Sequence, residues 1–185
     1  MELMQAIEGR RSVRKFTEYR VTDDEIRQLL EAARLAPSWA NTQVWEFVVV
    51  RDRQIIEKVA GTLSPNNPAT KGILASSAVI VACAKTGVSG SYTGKEVTKH
   101  KEWFMFDLGM AVQNLCLRAH ELGLGTVVAG LMDHDACKKI IDLPEGYEVL
   151  AALPIGKPAV IRNSPGRKDL ASFTHLDKFA NPFVK

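Results

Sequence analysis

The chain has 185 residues, of which 46% are hydrophobic and 24% are charged, a composition typical of one soluble globular domain with a substantial core. Its 24 basic and 21 acidic residues leave a net charge of +3, and no basic tract carries interleaved aromatic residues, which argues against a nucleic-acid partner. No signal peptide and no apolar run of the roughly 20 residues that a membrane helix needs is present, so we expect no membrane partner.

Apolar periodicity predicts several elements in the first half of the chain. In order, they are a short helix around Leu3 and Ile7, a helix from Thr22 that ends before Pro37, a strand at 46–50, a helix at 54–60, a loop at 64–68 and a strand at 77–84. The run Thr22-Asp23-Asp24-Glu25 is typical of a capped helix start. The strand at 77–84 is apolar enough to be buried on both faces.

The second half begins with a polar, glycine-containing segment at 87–101, which we expect to be a mobile lid or a surface excursion. The strongest predicted helix follows at 104–122, where a wide apolar surface suggests a central position in a core or a subunit interface. The remaining predicted elements are a strand at 126–129, a helix at 133–141, a strand at 148–155 and a tail at 163–185 without periodicity of its own.

Strands and helices mix without regular alternation, which favours an α+β fold in a single domain, 1–185. Gly123-Leu124-Gly125 is not a dinucleotide fingerprint, because it follows a helix and precedes a strand, and a third glycine at the required spacing is lacking.

Cysteine and histidine usage indicates neither a disulfide framework nor a metal site. Cys83, Cys116 and Cys137 are odd in number, widely spaced and set in apolar surroundings, as expected of reduced core thiols in a cytoplasmic protein. The four histidines stand apart without the spacing of metal ligands.

Two segments carry candidate binding residues. The run Arg10-Arg11-Ser12-Val13-Arg14-Lys15-Phe16 places cations beside a hydroxyl and could bind phosphate, although a solvated basic run is the alternative. In 37–45, Ser38, Asn41 and Gln43 supply polar groups beside Trp39 and Trp45, a combination that suits a planar heterocycle or, alternatively, a helix end followed by core packing.

In combination, these motifs resemble the flavin-dependent nitroreductase family, in its compact branch. The matching motifs, in order over nearly the whole chain, are Arg10 to Phe16, Pro37-Ser38-x-x-Asn41-x-Gln43-x-Trp45, Asp107-x-Gly109-x-Ala111-x-Gln113-Asn114-Leu115, Leu122 to Thr126, Leu143 to Tyr147 and Pro154 to Pro158. The chain departs from the family pattern at Val44, where proline is usual, and after Gly130, where an aromatic residue is usual.

The resemblance implies a nitroreductase-like α+β fold, with a central mixed, mainly antiparallel sheet flanked by helices, in an intertwined homodimer. It also implies FMN bound between the subunits. Arg10, Ser12 and Arg14 would hold the FMN phosphate and pyrimidine edge, with Arg11 adjacent. Pro37, Ser38, Trp39 and Asn41 would reach the flavin from the partner, Ala129, Gly130 and Leu131 would face flavin N5 and O4, and Arg167 and Lys168 would form a second cationic arm.

The implied reaction is ping-pong transfer of hydride from NADH or NADPH through flavin N5 to a small electron acceptor such as a nitroaromatic or a quinone. Chemistry of this kind rests on the cofactor, so no catalytic side chain is assigned. The alternatives are another reaction of the same fold, such as dehalogenation, flavin fragmentation or dehydrogenation, and a non-enzymatic flavin- or partner-binding module.

Overall fold

A computed structural model describes residues 1–161 and 163–183. The helices are α1 (Leu3–Gly9), α2 (Asp23–Arg34), α3 (Arg53–Gly61), α4 (Thr70–Ala75), α5 (Trp103–Glu121) and α6 (His134–Ile140). The strands are β1 (Trp45–Val50), β2 (Ala78–Lys85), β3 (Ser91–Tyr92), β4 (Lys95–Glu96), β5 (Gly125–Thr126) and β6 (Tyr147–Gly156). Short 3₁₀ turns lie at Trp39–Asn41 and Leu170–Ser172. The last two residues of the predicted tail, 184–185, lie outside the described residues, as does residue 162.

Helix α2 begins where its sequence predicts. The Thr22 hydroxyl accepts a hydrogen bond from the Glu25 N–H at 3.1 Å, and the Glu25 carboxylate accepts one from the Thr22 N–H at 2.8 Å. This reciprocal pair satisfies two amides that the first helical turn leaves without partners. The cap therefore fixes the start of α2 through residues that are neighbours in the sequence.

The central sheet has four antiparallel strands in the order β1-β2-β6-β5. A parallel bridge joins Ser12 to Thr126 of β5. Side chains of β2 alternate between two cores, with Ile80 and Ala82 on one face and Val79 and Val81 on the other, and all four are fully buried. The prediction that this strand is buried on both faces is confirmed, as is the α+β fold.

Helices cover both faces of the sheet. Apolar side chains of α2 and α5, among them Leu29 and Leu115, pack on one face. On the other face lie α3, α4 and α6, which contribute residues such as Ile56 and Ile73. Because one layer of helices covers each face of the sheet, a binding site can form only at the strand ends and at the sheet edges.

Helix α5 has one face inside the chain and another on its surface. The residues buried on the inner face are Asp107, Leu108, Ala111, Val112, Leu115, Cys116 and Ala119. Near its start, Met105 and Phe106 are 52% and 62% exposed. The wide apolar surface predicted from the sequence therefore divides between the core and an uncovered stripe.

The structure contains two features that periodicity did not predict, α4 and the β3–β4 hairpin, which occupies part of segment 87–101. Both are very short, so few side chains carry a pattern. The strand predicted at 126–129 is β5 plus an isolated bridge from Ala129 to Ala152.

The cysteines are free and buried, as the sequence predicts. Burial raises the pKa of the Cys83 thiol to about 12 and that of Cys137 to about 11. Both thiols therefore stay protonated and inert at neutral pH. Among the described helices, none has the combination of length and apolar character that crossing a bilayer requires.

Candidate functional site

The basic segment Arg10–Phe16 is held between strand β5 and the segment that follows β6. The Val13 N–H donates to the Thr126 carbonyl at 2.8 Å, and the Ala159 N–H donates to the Lys15 carbonyl at 2.9 Å. Val13 packs so closely over Gly125 that a Cβ on that glycine would lie 2.6 Å from a Val13 methyl. Gly125 therefore serves close packing of the basic segment, which agrees with the rejection of a dinucleotide fingerprint.

A cavity of about 1010 Å³ opens beside this segment, at the upper end of the roughly 300–1,000 Å³ of small-molecule sites. Its wall also includes the end of α5 and the loop before β5, both of which meet the basic segment. Helix α4 closes another side, where Gly72 approaches the Arg14 carbonyl so closely that a Cβ would lie 2.9 Å from it.

The cavity wall carries strong positive charge. Its cationic side chains are Arg10, Arg11, Arg14, Lys15, Lys71 and Lys157, and no carboxylate is among the described residues that line it. Burial, together with nearby Arg10 and Arg11, lowers the pKa of His120 on the same wall, so this imidazole is neutral at pH 7. Such a wall suits an anionic ligand, and a phosphate in particular.

Sequence reasoning missed two of these cations. Lys71 lies on α4, a helix that the sequence pattern did not predict, and Lys157 lies in the quoted motif Pro154 to Pro158 but received no role. The signal that could have found Lys157 is its position directly after the buried end of β6, since strand ends commonly border a site.

Arg11 differs from the other cations because its guanidinium turns toward the chain itself. Nη1 donates to the carbonyls of Glu8 and Arg10, at 2.7 Å in the second case. These bonds satisfy carbonyls at the end of α1. Nε is buried and has no hydrogen-bond partner among the described residues, so Arg11 keeps a donor for a ligand atom.

The segment Ala129-Gly130-Leu131 lies at the edge of the sheet. Ala129 exchanges backbone hydrogen bonds with Ala152, at 3.1 and 3.0 Å, so its N–H is already engaged. The Leu131 carbonyl accepts from the Ser64 N–H at 3.1 Å and from the Asn67 side chain at 3.0 Å. Because these bonds hold both sides of the segment, the amides that it can offer to a ligand are those of Gly130 and Leu131.

The loop that contains Pro37, Ser38, Trp39 and Asn41 lies far from the cationic cavity. The Trp39 N–H donates to Asp107 near the start of α5, whereas the cavity contacts Cys116 and His120 near its end. Asp107 and Cys116 are nine residues apart, which is about 14 Å along a helix. One chain therefore does not bring the loop and the basic segment to the same place.

Arg167 and Lys168 lie in the tail, where both are exposed. The Arg167 guanidinium donates to the Pro165 carbonyl at 3.0 Å. Neither residue is among those that line the cavity. Within the described chain, Arg167 and Lys168, the predicted second cationic arm, therefore do not contact the cavity that the basic segment lines.

Comparison with known proteins gives matches over most of the chain. A model of the nitroreductase family matches residues 7–157. A protein of Methanothermobacter thermautotrophicus with the provisional name NADH dehydrogenase/NAD(P)H nitroreductase is 32% identical, covering 97% of this chain and 88% of its own length. A Bacillus subtilis protein named FMN reductase [NAD(P)H] is 26% identical, with 97% of this chain and 75% of that protein covered.

A solved structure extends the similarity to three dimensions. The crystal structure of a nitroreductase family protein from Clostridium novyi superposes with a TM-score of 0.76 at 28% identity, covering 99% of this chain and 97% of the other.

Proposed function

Because the chain belongs to the nitroreductase family, we propose that it is an FMN-dependent oxidoreductase that takes hydride from NADH or NADPH and passes it to a small electron acceptor. The names of its relatives as NAD(P)H nitroreductase and FMN reductase support the cofactor and the reductant. A nitroaromatic or a quinone is the acceptor class we propose, and a cytoplasmic location accords with the free buried thiols.

The observation that carries this proposal is that every charged residue lining the cavity, among those the structure describes, is cationic. FMN bears a phosphate at one end and a planar ring at the other, so it needs a phosphate site and a flat apolar surface. Arg10, Ser12 and Arg14 line the cavity beside Lys71, and the unpartnered Arg11 Nε adds a donor. This donor set fits the group.

When bound, FMN supplies the hydride-transfer chemistry, and the protein's residues position and stabilise it. Positive charge near the pyrimidine end of the ring favours the negative charge that reduction places there. The Gly130 and Leu131 amides are the donors we propose for N5 and O4. Residues of the tail, Arg167 and Lys168, would reach the phosphate only in the assembled protein.

We propose that the assembled protein is a homodimer in which each FMN contacts both chains. The loop 37–41 and the basic segment lie at opposite ends of α5, so one cofactor can touch both only if the loop comes from a second copy. The tail supports the same assembly, because its apolar residues Leu170, Phe173, Leu176, Phe179 and Phe183 are all exposed.

Purification and turnover test this function directly. The protein should purify with flavin absorbance, and it should oxidise NADH or NADPH faster when a nitroaromatic or a quinone is added. A colourless protein that takes up no FMN would contradict the proposal. Flavin uptake without NAD(P)H oxidation would instead favour a flavin-binding module.

Arg14→Ala should weaken FMN binding much more than Lys15→Ala. The Arg14 guanidinium can hold phosphate by paired charge-assisted hydrogen bonds, which contribute about 1.5–3 kcal/mol, or roughly 10- to 150-fold in Kd, whereas the Lys15 ammonium on the same wall offers only a flexible point charge. Flavin titration of each apoprotein measures the difference. Arg27→Ala is the matched control, since Arg27 is exposed on α2 outside the cavity. Equal losses of FMN affinity in Arg14→Ala and Lys15→Ala would contradict a specific role for Arg14.

A further inference from the structure

Asp107 is a carboxylate inside the protein for which the proposed function gives no role. It lies in the second turn of α5 and is 1% exposed. Its Oδ1 accepts a hydrogen bond from the Trp39 N–H at 3.0 Å, and its Oδ2 accepts one from the Ser89 hydroxyl at 2.6 Å. One side chain thus joins the loop 38–43 to the base of the β3–β4 hairpin.

The surroundings of Asp107 make these two hydrogen bonds important. Among the described residues, no lysine or arginine forms an ion pair with it. A buried carboxylate without a cation depends on its hydrogen-bond donors, and a short O–H···O⁻ bond is among the stronger kinds. Loss of either donor therefore disturbs both segments that the carboxylate joins.

The loop 38–43 needs such an anchor because its backbone is strained. Ala40, Asn41 and Gln43 have φ values of +46°, +57° and +48°, which are unfavourable for residues with a side chain. The Ser38 hydroxyl holds the end of the loop by accepting from the Gln43 N–H at 3.0 Å. Asp107 holds its beginning. A conformation of this kind persists only where the surroundings impose it.

The hairpin brings an aromatic surface against the anchored loop. The rings of Trp39 and Tyr92 lie 4.8 Å apart at an angle of 50°, and Tyr92 is 59% exposed. Positive φ values at Thr93 and Gly94 are typical of a tight two-residue hairpin turn. The hairpin base packs closely, since a Cβ at Gly90 would lie 2.6 Å from the Trp103 ring.

We propose that Asp107 is a positioning residue that assembles Trp39 and Tyr92 into one surface, and that this surface binds planar aromatic electron acceptors at the flavin of the partner subunit. The inference rests on the proposed function, because it requires the loop to reach that flavin. Because the two rings are inclined at 50°, a planar acceptor can stack on one ring and meet the edge of the other, and rings held in place before binding lose little conformational freedom. An acceptor without a flat ring makes no stacking contact with Trp39 or Tyr92, so these rings do not add to its affinity.

The test separates the anchor from the aromatic surface with three variants of the FMN-loaded protein. Ser89→Ala removes the hairpin's hydrogen bond to Asp107, Tyr92→Leu removes an exposed ring but leaves the anchor, and Ser91→Ala is the control. Ser91 lies in the same hairpin, and its hydroxyl has no hydrogen bond among the described residues. Asp107→Asn is a further variant that keeps the side-chain shape.

The first measurement does not depend on activity. Trypsin can cleave at Lys95, Lys99 and Lys101, which are exposed in and after the hairpin. Ser89→Ala and Asp107→Asn should increase cleavage there about tenfold, as expected for loss of a hydrogen bond to a buried charge. Tyr92→Leu and Ser91→Ala should be cleaved at the parent rate. Unchanged cleavage in both anchor variants would overturn the anchoring role.

The second measurement compares acceptors. Tyr92→Leu should raise KM for a planar nitroaromatic about fivefold, the effect of losing an aromatic contact, while kcat, FMN affinity and KM for hexacyanoferrate(III) stay at parent values. Ser89→Ala should raise the same nitroaromatic KM about fivefold relative to its own KM for hexacyanoferrate(III). Equal KM changes for both acceptors, or none, would overturn the aromatic surface. Failure of the proposed function gives a different result, namely a parent protein without FMN or NAD(P)H oxidation.

Discussion

Gly109→Arg should convert the protein from a dimer to a monomer and release FMN. Gly109 lies on the exposed stripe of α5 beside Met105 and Phe106, and a Cβ there would have no atom within 4 Å inside the chain. The substitution therefore leaves the monomer intact but buries an unpaired charge in the proposed interface. Such a charge costs about 3–5 kcal/mol, or at least roughly a hundredfold in the dimer dissociation constant.

Sedimentation or light scattering gives the oligomeric state, and flavin absorbance gives the FMN content. Gly61→Arg is the matched control, because Gly61 ends α3 and likewise has open space around its Cβ position. Ala111 and Leu115 do not serve as interface probes, since both are fully buried within the monomer. A Gly109→Arg dimer that keeps FMN at parent affinity would place the interface on another surface.

Gly130→Val should slow flavin reduction by NADH or NADPH by about a hundredfold, even in protein that retains FMN. A Cβ at Gly130 would lie 3.2 Å from the Leu150 carbonyl, and the branched valine side chain adds further bulk. Because Ala129 is bonded to Ala152, the strain falls on the Gly130 and Leu131 amides. Loss of one preorganised donor typically slows the reaction about 10²- to 10³-fold.

Stopped-flow reduction of the flavin-loaded protein measures this effect. Gly130→Ala should give a smaller decrease, since it adds the Cβ alone, and Gly61→Val should behave like the parent. Reduction at the parent rate in fully loaded Gly130→Val would mean that this segment serves only as core. The donors would then have to be sought in the loop around Asn66 and Asn67, which contacts Leu131.

Elements with a strong local pattern were predictable from the sequence. The cap of α2 depends on Thr22 and Glu25, three residues apart, and the burial of β2 follows from its apolar run, so neither needs information from distant residues. Helix α4 and the hairpin have few residues, and α4 is specified by packing, for example where Gly72 meets Arg14. Local propensity carries little information about contacts of that kind.

The sequence by itself determined the α+β class, the main helices and strands, the buried thiols and the concentration of cations in the basic segment, because each of these depends on residue type and short spacing. Only the tertiary structure decided that Lys71 and Lys157 join Arg14 around one cavity. It also decided that Asp107 joins Trp39 to Ser89. These groups are separated widely in the chain, and their proximity results from how the helices pack on the sheet, which no local pattern encodes.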